Sequence, residues 1–127
     1  MMTREQAVDL VTEFLARFSA MEFGRLGELM ADDVIVEMPY TPGSTVHHGR
    51  AECVAYLDRS VRSFVKQVKF TITDTLFDPA RQAILVDHRN DGVRVDGRPY
   101  HNRYLGIFDL ADGRIVRWQQ FLNPALL

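Results

Sequence analysis

Hydrophobic and polar positions in this chain change period about halfway along. Apolar residues first recur at Ala7, Val11, Phe14, Leu15 and Phe18, the stripe of one helical face. Thr3-Arg4-Glu5-Gln6 stands before that stripe with the spacing of a capping box, a hydroxyl and then a glutamine three residues on. A second, short helix is expected from Met21 to Met30, carrying Leu26, Leu29 and Met30 and weakened by two glycines. A strand over Val34 to Met38 ends at Pro39, which cannot donate to a ladder. Pro39 to Gly49 reads as a loop, and Arg50 to Phe64 sets Cys53, Leu57, Val61 and Phe64 at helical spacing. After Phe64 the period falls to two: Val68, Phe70 and Ile72 alternate with Lys69, Thr71 and Thr73. Asp78-Pro79 turns the chain, Ala83 to Asn90 is a strand, and Asp91-Gly92 and Asp96-Gly97 are turn signals. Tyr100 to Leu110 and Arg114 to Leu122 form a hairpin about Ala111-Asp112-Gly113.

Three helices with one strand among them, then four consecutive strands, predict an α+β fold with a curved antiparallel sheet packed on the helices by one face. Parity puts Tyr100, Asn102 and Tyr104 on the inner face of one hairpin strand and Val116, Trp118, Gln120 and Leu122 on that of the other. Polar groups on a face that should be core point to a lined pocket. Arg117, Gln119 and Phe121 take the outer parity, a mixture that suits either a sheet-to-sheet homodimer contact or a solvated face.

At 127 residues, 46% hydrophobic and 25% charged, the chain has the size and composition of one soluble globular domain, 1–127. The formal net charge of −2, with Lys and Arg scattered, provides no basic stripe for a phosphate backbone, so nucleic acid is not an expected partner. No apolar run approaches the ~20 residues of a membrane span, and the N-terminal residues carry no basic-then-apolar leader. The single Cys53 allows no intrachain disulfide, fits a reducing cytoplasm, and reads as a small buried hydrophobe. His47 and His48 are adjacent and point apart on an extended loop, no spacing suits zinc, and no glycine-rich phosphate loop is present. No metal and no cofactor are expected.

Several stretches, spread nearly end to end, resemble the nuclear transport factor 2-like superfamily, in its SnoaL-like and ketosteroid-isomerase-like subgroup. They are Phe18-Ser19-Ala20-Met21 with Leu26 and Leu29; Met30-Ala31-Asp32-Asp33-Val34; Val36-Glu37-Met38-Pro39-Tyr40; His48-Gly49-Arg50 leading to Tyr56-Leu57; Tyr100-His101-Asn102-Arg103-Tyr104; and Asp112-Gly113-Arg114-Ile115 leading to Phe121-Leu122-Asn123-Pro124. The resemblance implies a cone-shaped α+β barrel, a small-molecule pocket and a homodimer, on a fold that hosts isomerases, cyclases, dehydratases, hydrolases and non-enzymes. It also exposes departures. Where ketosteroid isomerases hold a catalytic Asp, a phenol donor and a carboxylic donor, this chain resembles them with Met38, Phe14 and Gly106. The last strand is similar to that of phenazine-biosynthesis proteins of the A/B type, whose Glu-Phe-Met-Asn-Pro run becomes Gln120-Phe121-Leu122-Asn123-Pro124 here; a His of those proteins corresponds to Tyr56.

His88, Tyr104 and Gln120 are therefore the candidate catalytic residues. A buried amide at Gln120 binds a carbonyl or carboxylate, or is a satisfied structural amide. Tyr104 is a weak general acid or an oxyanion donor, or a core ring whose hydroxyl reaches a rim. His88 shares a face with Ile84, Val86 and Asn90 and is a general base or a structural histidine. Phe14, Met38, Tyr40, Tyr56, Tyr100, Asn102 and Trp118 are the candidate lining of a site for a small apolar or aromatic ligand. Three functions stay open: a cofactor-free isomerase, cyclase or dehydratase acting on a polyketide-, steroid- or phenazine-like molecule; a non-catalytic ligand-binding dimer that has lost the family carboxylate; and a dimerisation domain with a filled interior.

Overall fold

A computed structural model describes residues 1–39, residue 43 and residues 46–127. The elements run α1 (Arg4–Ser19), α2 (Phe23–Gly27), β1 (Met30–Glu37), β2 (Val46–His48), α3 (Arg50–Phe64), β3 (Val65–Gln67), β4 (Phe70–Asp78), β5 (Ala83–Arg94), β6 (Pro99–Ala111) and β7 (Arg114–Leu122), then a 3-10 turn over Pro124–Leu126. The capping box starts α1 as the sequence requires: Thr3 Oγ1 accepts from Gln6 N at 3.2 Å, and Gln6 Oε1 accepts from Thr3 N at 2.9 Å. The stripe Ala7, Leu10, Val11, Phe14, Leu15 and Phe18 is buried.

The strands form one curved, unclosed sheet in the order β2-β1-β7-β6-β5-β3, with β4 also paired to β5. It is mixed, because β1 runs parallel to β7 with Val36 beside Trp118; the other pairings are antiparallel. The expected cone-shaped α+β architecture with a curved sheet is thus present, and among the described residues the one departure from the antiparallel expectation is the β1–β7 pair. A parallel neighbour needs a long crossover, and here everything from β2 to β6 lies between β1 and β7, a separation that strand periodicity does not reveal.

Other boundaries also moved. The second helix is confined to Phe23–Gly27. The expected loop Pro39–Gly49 contains β2, and five strands follow α3, because Val65–Gln67 is a strand too short to show alternation. Asp91-Gly92 is not a turn; β5 continues through it to Arg94. A Cβ on Gly92 would stand 2.5 Å from the Gln67 carbonyl oxygen, so glycine serves the close approach of β3. A bulge between Asp109 and Leu110 breaks the β6–β7 register, so Ile115 is buried and Val116 is only half-buried, against the simple alternation expected there.

Candidate functional site

Paired residues of β5, β6 and β7 form rungs on the inner face of the sheet. Phe108 pairs with Ile84 and Trp118; Gly106 with Val86 and Gln120; Tyr104 with His88 and Leu122; Asn102 with Asn90; and Tyr100 with Gly92. Among the described residues five buried side chains are polar, and four of them (His88, Asn90, Asn102, Gln120) lie on these rungs. Two of them, Asn90 and Gln120, line a cavity of about 520 Å³, within the range of small-molecule sites. Helix α3 contributes Tyr56, Leu57, Ser60, Val61 and Phe64 to its wall, α1 contributes Phe18, and Val65, Val68 and Phe70 close one side. The sheet contributes Asn90, Tyr100, Tyr104, Trp118, Gln120 and Leu122, and Met38 and Leu127 complete the lining. None of these residues is Asp, Glu, Lys, Arg or His.

His88 lies behind this wall and does not line the cavity. Its Nδ1 is 3.1 Å from the Val86 carbonyl oxygen and its Nε2 is 3.1 Å from Gln120 Nε2. A carbonyl only accepts, so Nδ1 carries the hydrogen and the Nε2 lone pair receives the Gln120 amide. Burial pushes the imidazole down to about 4, so it is neutral at pH 7. The expectation of His88 as a base in direct reach of a ligand is thereby revised. Its visible action is to fix which end of the Gln120 amide faces it. Gln120 Oε1 is then turned toward Gly106, where a Cβ would stand 3.0 Å from it and 3.3 Å from Trp118 Nε1. Gln120 Oε1, Trp118 Nε1 and Ser60 Oγ are buried and have no hydrogen-bond partner among the described residues, at a cost of about 1–3 kcal/mol each.

The two phenols form a separate network. Tyr104 Oη donates to Tyr100 Oη at 3.0 Å, and Asn102 Nδ2 donates to Tyr100 Oη at 2.8 Å. Burial, followed by the adjoining Tyr100 hydroxyl, pushes the Tyr104 phenol well above its ordinary value, and the Asn90 amide opposes the shift only in part. Tyr104 is therefore a protonated donor throughout the working pH range. Asn102 faces the network rather than the cavity. It also donates from Nδ2 to the Asn123 carbonyl at 3.1 Å, while its Oδ1 accepts from Asn123 N at 3.3 Å and Arg103 N at 2.8 Å.

The remaining candidates separate clearly. Phe14 packs edge-on against Phe108 and Trp118, at 5.4 and 5.0 Å between ring centroids, and does not line the cavity. Met38 and Tyr56 do line it, with Tyr56 Oη 4.0 Å from Met38 Sδ. His47, expected as a loop residue, is buried and stacks on Tyr56 at 3.7 Å, whereas His48 is exposed. Tyr40 lies outside the described residues. Sequence reasoning missed Ser60, Phe64, Asn90 and Leu127. Ser60 and Phe64 follow Tyr56 at intervals of four on α3, and Asn90 shares the parity of His88, so both signals were present in the chain. Arg94 was missed as well: its Nη2 donates to the Leu126 carbonyl at 2.8 Å, and its guanidinium lies 4.8 Å over the Phe64 ring and 5.4 Å over the Tyr100 ring. Among the described residues no cluster of His, Cys, Asp and Glu could hold a metal ion, and no helix is long and apolar enough to cross a membrane.

A family model of the SnoaL-like domain matches residues 11–118, and the chain belongs to that family. YesE of Bacillus subtilis (strain 168) is 24% identical over 127 residues, covering 97% of this chain and 85% of that protein. A Bacillus subtilis crystal structure superposes with a TM-score of 0.89 at 23% identity, over 99% of this chain and 92% of the other. An LEH-like epoxide hydrolase of M. tuberculosis gives 0.77 at 20% identity, over 96% and 86%. At such identities the structural likeness defines the fold. These comparisons do not show the expected resemblance of the last strand to phenazine-biosynthesis proteins of the A/B type.

Proposed function

We propose that the chain takes one small, neutral, mainly apolar or aromatic molecule into the cavity and acts on it without a cofactor, as an isomerase, cyclase or dehydratase of the SnoaL-like kind. The observation that carries this reading is the lining itself: about 520 Å³ walled by aliphatic and aromatic groups, with a few buried polar atoms and no ionic side chain among the described residues. An ionised ligand there would lose its hydration without gaining a counter-charge. Polyketide-, steroid- and phenazine-like molecules have the size and character the wall accepts. The chemistry within reach is polarisation: Tyr104 donates to a substrate oxygen as negative charge develops on it, and Gln120 holds a polar group in place. His88 serves as a positioning residue through Gln120.

Saturable binding of neutral polycyclic ketones is expected, read through the fluorescence of Trp118, the single tryptophan of the chain. Turnover on such a panel, followed by NMR, is expected to fall about 10²-fold in kcat/KM in the Gln120→Leu variant. Binding without turnover in the wild-type protein would replace this conclusion with a second reading, a ligand-binding dimer without catalysis. That reading draws support from the amide at Gln120, which cannot shuttle protons. Either form is proposed as a cytoplasmic homodimer. The buried free thiol of Cys53 supports the compartment, and partly exposed Leu105, paired with Phe121 on the outer sheet face, supports the contact.

A further inference from the structure

We propose that the tyrosine pair of β6 selects ligands bearing an uncharged hydrogen-bond acceptor, a carbonyl-class oxygen, through a single phenolic hydrogen that the protein leaves uncommitted. This deepens the pocket reading above and rests on it.

The argument is a count of hydrogens. Tyr100 and Tyr104 together own two hydroxyl hydrogens. Tyr100 Oη already accepts from Asn102 Nδ2 at 2.8 Å, and Tyr104 Oη accepts from no amide at that range among the described residues. One hydroxyl hydrogen lies in the 3.0 Å bond between the two oxygens. The other has no acceptor among the described residues. Reversing the bond between the phenols moves the spare hydrogen from Tyr100 to Tyr104 without changing the count. Both residues are more than nine-tenths buried and both line the cavity, so the hydrogen is available to a bound molecule and poorly available to bulk water.

The two amides set the polarity of this subsite. Asn102 is held by the backbone of Asn123 and Arg103, and Asn90 Oδ1 accepts from Lys69 N at 3.0 Å, so neither amide is free to turn its oxygen toward the phenols. With Tyr100 Oη receiving both the Asn102 amide and the Tyr104 hydroxyl, its own O–H is strengthened as a donor. A ligand ammonium or alkyl group at that point would leave the donor unsatisfied. A carboxylate would accept the bond, yet among the described residues no cationic side chain lines the cavity to balance it. A ketone, lactone or quinone oxygen meets both conditions.

The test uses three probes of one shape, 2-decalone, 2-methylenedecalin and decalin-2-carboxylate, titrated into the wild-type protein with Trp118 fluorescence as the readout. 2-Decalone is expected to bind about tenfold more tightly than its methylene isostere, the ratio that one buried hydrogen bond supplies. Its carbonyl stretching band is expected at lower wavenumber in the complex than in cyclohexane. Equal affinities, an unshifted carbonyl band, or tightest binding by the carboxylate would overturn the inference. If the alkene binds and the ketone gains nothing, the pocket reading stands and only this inference fails; if none of the probes perturbs Trp118, both fail. Tyr100→Phe and Tyr104→Phe are each expected to keep the ketone preference within about threefold, because the surviving phenol keeps its hydrogen. The double variant, in which continued alkene binding reports an intact cavity, is expected to lose the preference. Loss in either single variant, or survival in the double, would refute the shared hydrogen.

Discussion

At Phe108 the inner face of β6 is dry. Phe108 stacks on Trp118 at 5.7 Å, Phe14 closes edge-on against both, and none of the three has any exposed surface. At Tyr100, on the same face of the same strand, two phenols and the Asn102 amide share a hydrogen-bond network beside open space. Gly106 separates the two regions, and its missing side chain makes room for Gln120 Oε1 and Trp118 Nε1. The floor gains its order from interdigitated rings, which tolerate no vacancy. The mouth gains its order from directed bonds, which hold atoms in place while leaving a volume free. One strand thus serves stability at one end and recognition at the other.

The sharpest way to break this comparison is Phe14→Ala. If the floor is packed core, the truncation costs about 3–5 kcal/mol in urea-induced unfolding. A loss near 1 kcal/mol would mean that Phe14 bounds a space rather than filling one.

The boundary between the regions is tested next, through His88. Its folded value of about 4 lies below the 6.5 of the free side chain. The folded state therefore holds the imidazole neutral, and the stability this confers is complete above pH 6.5 and is lost as pH falls toward 4. The interval is worth about 3 kcal/mol at ~1.36 kcal/mol per unit. Denaturation measured from pH 7 to pH 4 should show that loss in the wild-type protein and lack it in His88→Phe. Identical pH profiles would place His88 in contact with water and dissolve the boundary.

The smallest effect is expected at the mouth. Arg94→Ala removes the hydrogen bond to Leu126 and the contact over Phe64, changing global stability by less than about 1 kcal/mol. The Leu127 amide, bonded to Pro124 O at 3.2 Å, should nevertheless exchange several-fold faster with deuterium. Unaltered exchange would show that the C-terminal turn is held by Asn102 and Asn123 alone.

Much of this architecture was legible in the chain, because it depends on local chemistry. The capping box, the stripe of α1, the limits of α3 and the inner parity of β6 all follow from neighbours within a few residues, where period and sterics act directly. The inward direction of Tyr100, Asn102, Tyr104 and Gln120 was legible for the same reason. What each inward residue meets was not. Alternation places Phe14 and Tyr104 alike in the interior, yet one is packed between rings and the other faces a cavity. Asn102 and Gln120 are both buried amides, yet one is tied to Asn123 and the other to His88. The parallel β1–β7 pairing, the glycine at position 92 facing β3, and the bulge that exchanges Val116 for Ile115 each depend on a partner far along the chain. The sequence by itself determined the elements and the face each side chain takes, since these are short-range properties of the backbone. Only the tertiary structure decided which polar groups are satisfied and which hydrogen is left for a ligand, since that depends on atoms brought together from strands and helices distant in sequence.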